Sequence, residues 1–216
     1  MEITMVRHGQ AQSGAKDEAS YDKLSPLGHQ QAAWLGTHLQ ELGRYDRVVS
    51  GTMRRQIETG QGLALPGAQH DQDARLNEMD YFGLAHFLRD EKGLSVPTSQ
   101  AEFQGHVREV LRAWAGVETG PHLESYVEFK ARILGAVRDV AGAGQQTVVV
   151  SSTGVIATLM AIALDLDIHR KANVFLRIAH TSVHKFALDG DDLHLLQFCA
   201  TPHLDAPDRA HARTTI

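Results

Sequence analysis

The sequence predicts a three-layer α/β/α domain built on a mostly parallel central sheet, and three observations carry that reading. A short apolar run over residues 3–6 stops at Arg7-His8-Gly9, as a buried strand does where it leaves a sheet. Strand-like segments alternate along the chain with amphipathic helices, the pattern of parallel strands joined by crossover helices. The β-branched run at residues 147–151 passes through Ser-Ser-Thr-Gly straight into an apolar helix, so strand and helix meet at one tight turn.

The elements follow in order. After the first strand, Ser25 is suited to cap a helix and Pro26 to open it. Ala32, Leu35, Leu39 and Leu42 then recur at helical spacing until Gly43 stops the run. Residues 46–49 form a second strand and residues 52–63 a second helix. Residues 76–121 lack a clear period, with a loop at 96–98 and a helix at 100–115. They read as a lid or insertion on a single domain spanning residues 1–216, and Tyr81, Phe82, Arg89, Lys92 and Trp114 are its candidates for specificity. Residues 124–140 are amphipathic through Phe129, Ile133, Val137 and Val140. After the strand at 147–151 and the helix at 155–164, two strands at 182–188 and 193–198 make a hairpin around Asp189-Gly190-Asp191. The tail beyond Pro207 is expected to be loosely held.

Composition narrows the function. The net charge of -5 argues against a nucleic-acid binder, because affinity for a phosphate backbone needs a basic stripe. The single cysteine, Cys199, forms no internal disulfide, which fits a reducing, cytoplasmic compartment. No signal peptide is expected, and the longest apolar run, residues 155–164, is too short for a bilayer of about 30 Å. No glycine-rich nucleotide loop occurs, so no nucleotide cofactor is expected, and no metal is expected either, since His180 and His184, four apart, have no evident third ligand.

In doubly covered sheets, ligands gather beyond the carboxyl ends of strands. Arg7, His8 and Gly9 stand there: a planar fork suited to phosphate, an imidazole neutral enough to attack, and a residue that permits close backbone approach. A second cluster, Ser50-Gly51-Thr52-Met53-Arg54-Arg55, follows the second strand and opens a helix whose free N–H groups favour an anion. Arg55 is read as pointing back to the same pocket and Arg54 as solvated. Gln10 and Ser13 are expected to line the pocket, with Tyr21 and Lys23 at its rim.

Together these stretches resemble the histidine phosphatase superfamily, which includes the phosphoglycerate mutases. The matching pieces are MVRHGQ, LSPLGHQQAAWLG, VVSGTMRRQIET, RLNEMDYFG, VVVSSTGVIATLMA and AHTSVHKFAL, in the family's order across most of the chain. The resemblance implies a phosphoglycerate mutase-like fold, His8 as the phosphoryl acceptor, Arg7 and Arg55 as clamps, and Glu78 as the acid for the leaving group, with Asp80 a rival. It also exposes a departure. The family reads Ser-His-Gly-Gly after the strand, whereas this chain reads Ser151-Ser152-Thr153-Gly154. Ser152 stands where the second histidine belongs, and Ser152 and Thr153 are carried over as binding positions. His180, just before Thr181-Ser182, is the preferred compensating imidazole, with His203 behind it. The expected activity is a cofactor-independent phosphatase, weakened by Ser152, acting on a small phosphorylated metabolite without nucleic-acid or membrane partners; a homodimer is left open. The alternatives are a phosphate-holding protein without turnover and a phosphoglycerate-type mutase.

Overall fold

The structure, a computed structural model, describes residues 1–12, 18–95, 97, 99–116 and 122–215. Ser13, expected in the pocket, lies outside the described residues. The chain runs β1 (Glu2–Arg7), a single turn α1 (Glu18–Tyr21), α2 (Pro26–Leu42), β2 (Arg47–Ser50), α3 (Arg54–Gly62) and β3 (Gln69–Gln72). Three helices follow, α4 (Tyr81–Lys92), α5 (Gln100–Gly116) and α6 (Tyr126–Gly142), and then β4 (Thr147–Ser151), α7 (Thr153–Ala163), α8 (Ile168–Phe175), β5 (Val183–Asp189) and β6 (Asp192–Ala200). The strands form one six-stranded sheet in the order β3-β2-β4-β1-β5-β6. The β3-β2, β2-β4 and β4-β1 pairings are parallel; β5 and β6 close the other edge antiparallel. The sheet is therefore mixed, with its parallel part holding the first strand.

Side-chain alternation divides the core between the two faces, as the period of two along a strand requires. Ile3, Met5, Val49 and Val149 pack with α4–α8, while Val6, Val48, Val148 and Val150 pack with Leu35 and Leu39 of α2 and with Leu63. Helix α2 starts as the sequence dictates: the Ser25 hydroxyl accepts from the Gly28 N–H at 3.0 Å, with Pro26 opening the helix. Its approach to the loop after β1 is backbone against backbone. A Cβ at Gly28 would stand 2.1 Å from the Gln10 carbonyl oxygen, and one at Gly9 would stand 2.5 Å from that of Gly28.

Four elements were not anticipated. β3 (QHDQ) is a polar edge strand paired only with β2, so no buried face left an apolar signature. α1, α4 and α8 are the others, and α4 had local signals: Asp80 accepts from the Gly83 N–H at 2.8 Å and Gly93 ends the helix at φ 69°. The segment expected as a lid is anchored, since Leu84, Leu88, Val107, Val110, Leu111 and Trp114 belong to the larger core cluster. Trp114 is 1% exposed and donates its indole N–H to the Glu124 carbonyl, whereas Arg89 and Lys92 are at the surface.

The tail departs most from expectation. Pro207–Ala212 forms a 3-10 turn with Ala212 buried, and the chain then runs back to the end of β1. No described helix is long and apolar enough to cross a membrane.

Candidate active site

Strands β1, β4 and β2 run parallel, so Arg7, Ser151 and Ser50 finish at one edge of the sheet, with Arg7 opposite Ser151. His8 is the first residue past that edge and is 2% exposed; its backbone N–H is held by the Ser151 carbonyl at 2.9 Å. Its ring is held as well. Nδ1 lies 2.8 Å from the Gly9 carbonyl oxygen. A carbonyl only accepts, so Nδ1 carries the hydrogen and the neutral ring keeps its lone pair on Nε2. Burial, followed by the charges of Arg55 and Arg7, pushes the His8 pKa well below its ordinary value. The imidazole is thus neutral and pre-oriented. The Gly9 N–H donates to the Thr59 hydroxyl at 3.0 Å, which ties the loop after β1 to α3.

Both arginines are buried, at 5% and 2% exposure. Arg7 donates from Nη1 to the carbonyls of Ile178 at 2.5 Å and Thr215 at 2.6 Å, while its Nε has no hydrogen-bond partner among the described residues. Arg55 donates from Nη1 to Asp22 at 3.1 Å, and its guanidinium lies 4.9 Å from the centre of the Tyr21 ring. Burial lowers the Arg7 pKa and Tyr21 opposes that shift, so one aromatic side chain lies against both guanidinium groups. The N–H groups expected to be free at the start of α3 are occupied. Asp22 accepts from the N–H of Arg54 at 2.9 Å and of Arg55 at 3.1 Å, capping the helix from another segment. This carboxylate went unnoticed in the sequence, although a cation in a first helical turn calls for one. Arg54 turns outward to Glu58, as expected.

Glu78 sits against the start of α7. Its carboxylate accepts from the Gly154 N–H at 2.8 Å and the Met79 N–H at 3.0 Å. Those bonds favour the carboxylate, but burial outweighs them and raises the pKa above the usual range. Gly154 makes the approach possible, because a Cβ there would stand 2.0 Å from Glu78 Oε1. The loop carrying Glu78 is pinned by Arg132, which donates to the carbonyls of Arg75 at 2.6 Å and Asn77 at 2.8 Å. Asp80, the rival acid, is an exposed cap on α4. Near Glu78, Lys171 is 1% exposed, with its Nζ 4.3 Å from the centre of the Tyr126 ring and 3.3 Å from the Tyr126 hydroxyl. Burial takes its pKa down to about 7, with the Glu78 charge opposing. No pattern in the sequence marks this lysine.

Ser152 is 1% exposed, and its hydroxyl accepts from the Gln56 amide at 2.8 Å. Gln56 also donates to the Leu76 carbonyl at 3.3 Å, so it fills the space beside Ser152. Thr153, the first residue of α7, is buried next to it. Gln10 is partly committed: its N–H donates to Gln31 at 2.8 Å and its side-chain oxygen accepts from Ser25 at 2.8 Å. His180 joins the cluster, its ring centre 5.8 Å from that of His8. His203 stands behind, bonded through Nε2 to the Thr181 hydroxyl at 2.9 Å. Arg7, His8, Arg55, Glu78 and His180 therefore act on one another's charge, a concentration of perturbed groups that marks a functional site.

The family model described as histidine phosphatase superfamily (branch 1) matches residues 3–201. No curated protein matches the chain. Among solved structures, a mutant phosphoserine phosphatase from Entamoeba histolytica in complex with phosphoserine is similar at 17% identity and TM-score 0.69, over 94% of this chain and 98% of that one. A mycobacterial glucosyl-3-phosphoglycerate phosphatase is similar at 25% identity and TM-score 0.65, over 92% of this chain and 98% of that one. YhfR of Bacillus stearothermophilus is similar at 19% identity and TM-score 0.70, over 94% and 98%.

Proposed function

The chain belongs to branch 1 of the histidine phosphatase superfamily, and from that membership we propose that it hydrolyses a small phosphomonoester through a phosphohistidine at His8. The observation that carries the reading is the bond from His8 Nδ1 to the Gly9 carbonyl at 2.8 Å. It presents Nε2 as the nucleophile beside two buried guanidinium groups. Nε2 attacks phosphorus and the bond to the leaving oxygen breaks. Glu78, its pKa raised by burial, gives that oxygen its proton, and the alcohol departs. Water then attacks the phosphohistidine, Glu78 takes the water's proton, the N–P bond breaks, and phosphate leaves. Negative charge on the transferring group is met by Arg7 and Arg55, so positioning and fixed cations do the work and no cofactor is called for. The structural relatives named for substrates act on small phosphorylated metabolites, which supports the same class here.

The Gln56–Ser152 bond favours a second reading, a site that holds phosphate without turnover, because it puts a neutral pair beside the pocket. p-Nitrophenyl phosphate separates the two. Hydrolysis that vanishes in His8→Ala supports the enzyme. A protein with no hydrolysis, whose thermal midpoint nevertheless rises with inorganic phosphate, is the holding protein.

A further inference from the structure

We propose that His180, rather than Ser152, supplies the second imidazole of the phosphate site, and that a bound phosphate draws a proton onto it. The inference rests on the phosphatase reading for its role in turnover, but not for its role in binding.

The turn that carries His180 is stitched to the nucleophile. The Thr181 N–H donates to the carbonyls of Arg7 at 3.1 Å and His8 at 3.4 Å, and the Arg7 N–H donates to the Ser182 carbonyl at 3.2 Å. Thr181 adopts φ 54°, a left-handed conformation unfavourable for a β-branched residue. Side chains lock it there. The Thr181 hydroxyl donates to the His180 carbonyl at 2.7 Å, and the Ser182 hydroxyl, bonded to His184 Nε2 at 2.9 Å, donates to the Ala179 carbonyl at 2.6 Å. This strained, over-determined turn brings the ring of His180 to 5.8 Å from that of His8, centre to centre.

The orientation of the ring is fixed from the other side by the tail. Thr214 accepts the His180 backbone N–H at 2.8 Å, and its hydroxyl lies 2.9 Å from His180 Nδ1. Gln31 of α2 donates to the same hydroxyl at 3.2 Å. With Nδ1 engaged by Thr214, Nε2 is the ring nitrogen that makes no hydrogen bond to a described residue. As an imidazolium, His180 can donate from Nδ1 to Thr214 and from Nε2 to an anion.

The charges around it explain why the proton arrives with the ligand. Burial, with the Arg7 charge from β1, holds the His180 pKa well below its ordinary value, and the neutral ring of His8 adds no negative charge that would favour the imidazolium. Thr214 and Gln31 are neutral, and His203 lies beyond Thr181. Across the site, Arg55 acts on His8 and Arg7, and Glu78 acts on Arg7. A phosphate dianion reverses the sign of the field and makes the cation favourable.

The test uses inorganic phosphate and titration calorimetry in buffers of different ionisation enthalpy at a pH of about 8, where phosphate is mostly a dianion. The wild type is expected to take up a proton on binding. His180→Asn keeps a group that can reach Thr214 but lacks Nε2. It is expected to lose that uptake and to fall about a hundredfold in kcat, with its pH profile altered. His180→Gln, with a neutral donor nearer the Nε2 position, is expected to recover part of kcat without the proton. Uptake and kcat unchanged in His180→Asn overturn the proposal. So does a wild type that binds phosphate without proton uptake, an outcome that needs no variant to fold. A wild type with His180-dependent uptake and no turnover refutes the phosphatase reading alone. Turnover indifferent to His180 refutes this one alone.

Discussion

At the scale of single residues, the site depends on which form of each group the fold favours. Burial and two guanidinium groups hold the His8 pKa well below its ordinary value, and burial raises that of Glu78. On the proposed mechanism both shifts favour the reactive forms, a bare imidazole and a carboxylic acid. Activity should decline as Glu78 loses its proton, giving a basic limb to the profile of kcat/KM that lies above the ordinary carboxylate range. Glu78→Gln is expected to remove that limb. It should also cost about a hundredfold or more with an alkyl phosphate and far less with p-nitrophenyl phosphate, whose leaving group needs little protonation. Equal losses with both substrates would show that Glu78 acts on binding instead. The identities of these residues were legible, because Arg7, His8, Arg55 and Glu78 stand in short motifs of fixed type. Their supports were not. Asp22, Gln31 and Thr214 act across long sequence separations, and nothing local marks them; Tyr21 was expected at the rim, but not as a support for Arg55.

At the scale of elements, α8 carries the least expected feature. Lys171 lies among Tyr126, Phe129 and Trp114, with its Nζ 4.3, 5.8 and 6.0 Å from the ring centres. In the unfolded chain a lysine stays protonated to about pH 10, whereas in the fold Lys171 gives up its proton at about 7. Between those values the unfolded state holds one more proton, so stability rises with pH by about 1.4 kcal/mol per unit from this group. Denaturant unfolding of wild type and Lys171→Met between about pH 7 and pH 10 should diverge by that slope; parallel curves would show that the amine is not desolvated in the fold. The elements the sequence revealed are those with a periodic apolar face or a cap, such as α2 with Ser25 and Pro26, or β4, buried along its whole length. Of those it concealed, α4 did carry a cap at Asp80 and buried leucines, but in a segment without a clear period. β3 is a polar edge, and the tail is ordered by backbone carbonyls that Arg7 and Gln31 seek out.

At the scale of the whole molecule, the fold class was legible because alternation of strand and helix is spread over the chain, whereas the site is an assembly. One edge of the sheet gathers Arg7 and His8 from β1 and Ser151 from β4, and flanking segments bring Arg55, Glu78 and His180 to it. The tail completes the assembly through Thr214 and Thr215. A sequence motif records which residues arrive there, but only the packing records what each leaves free to react. The decisive measurement is to quench the protein during turnover, trap the phosphorylated form and locate the phosphoryl group. An acid-labile phosphoryl group on Nε2 of His8, absent in His8→Ala, is what the account requires. Sustained turnover with no phosphorylated His8, or with the group on another residue, would contradict it.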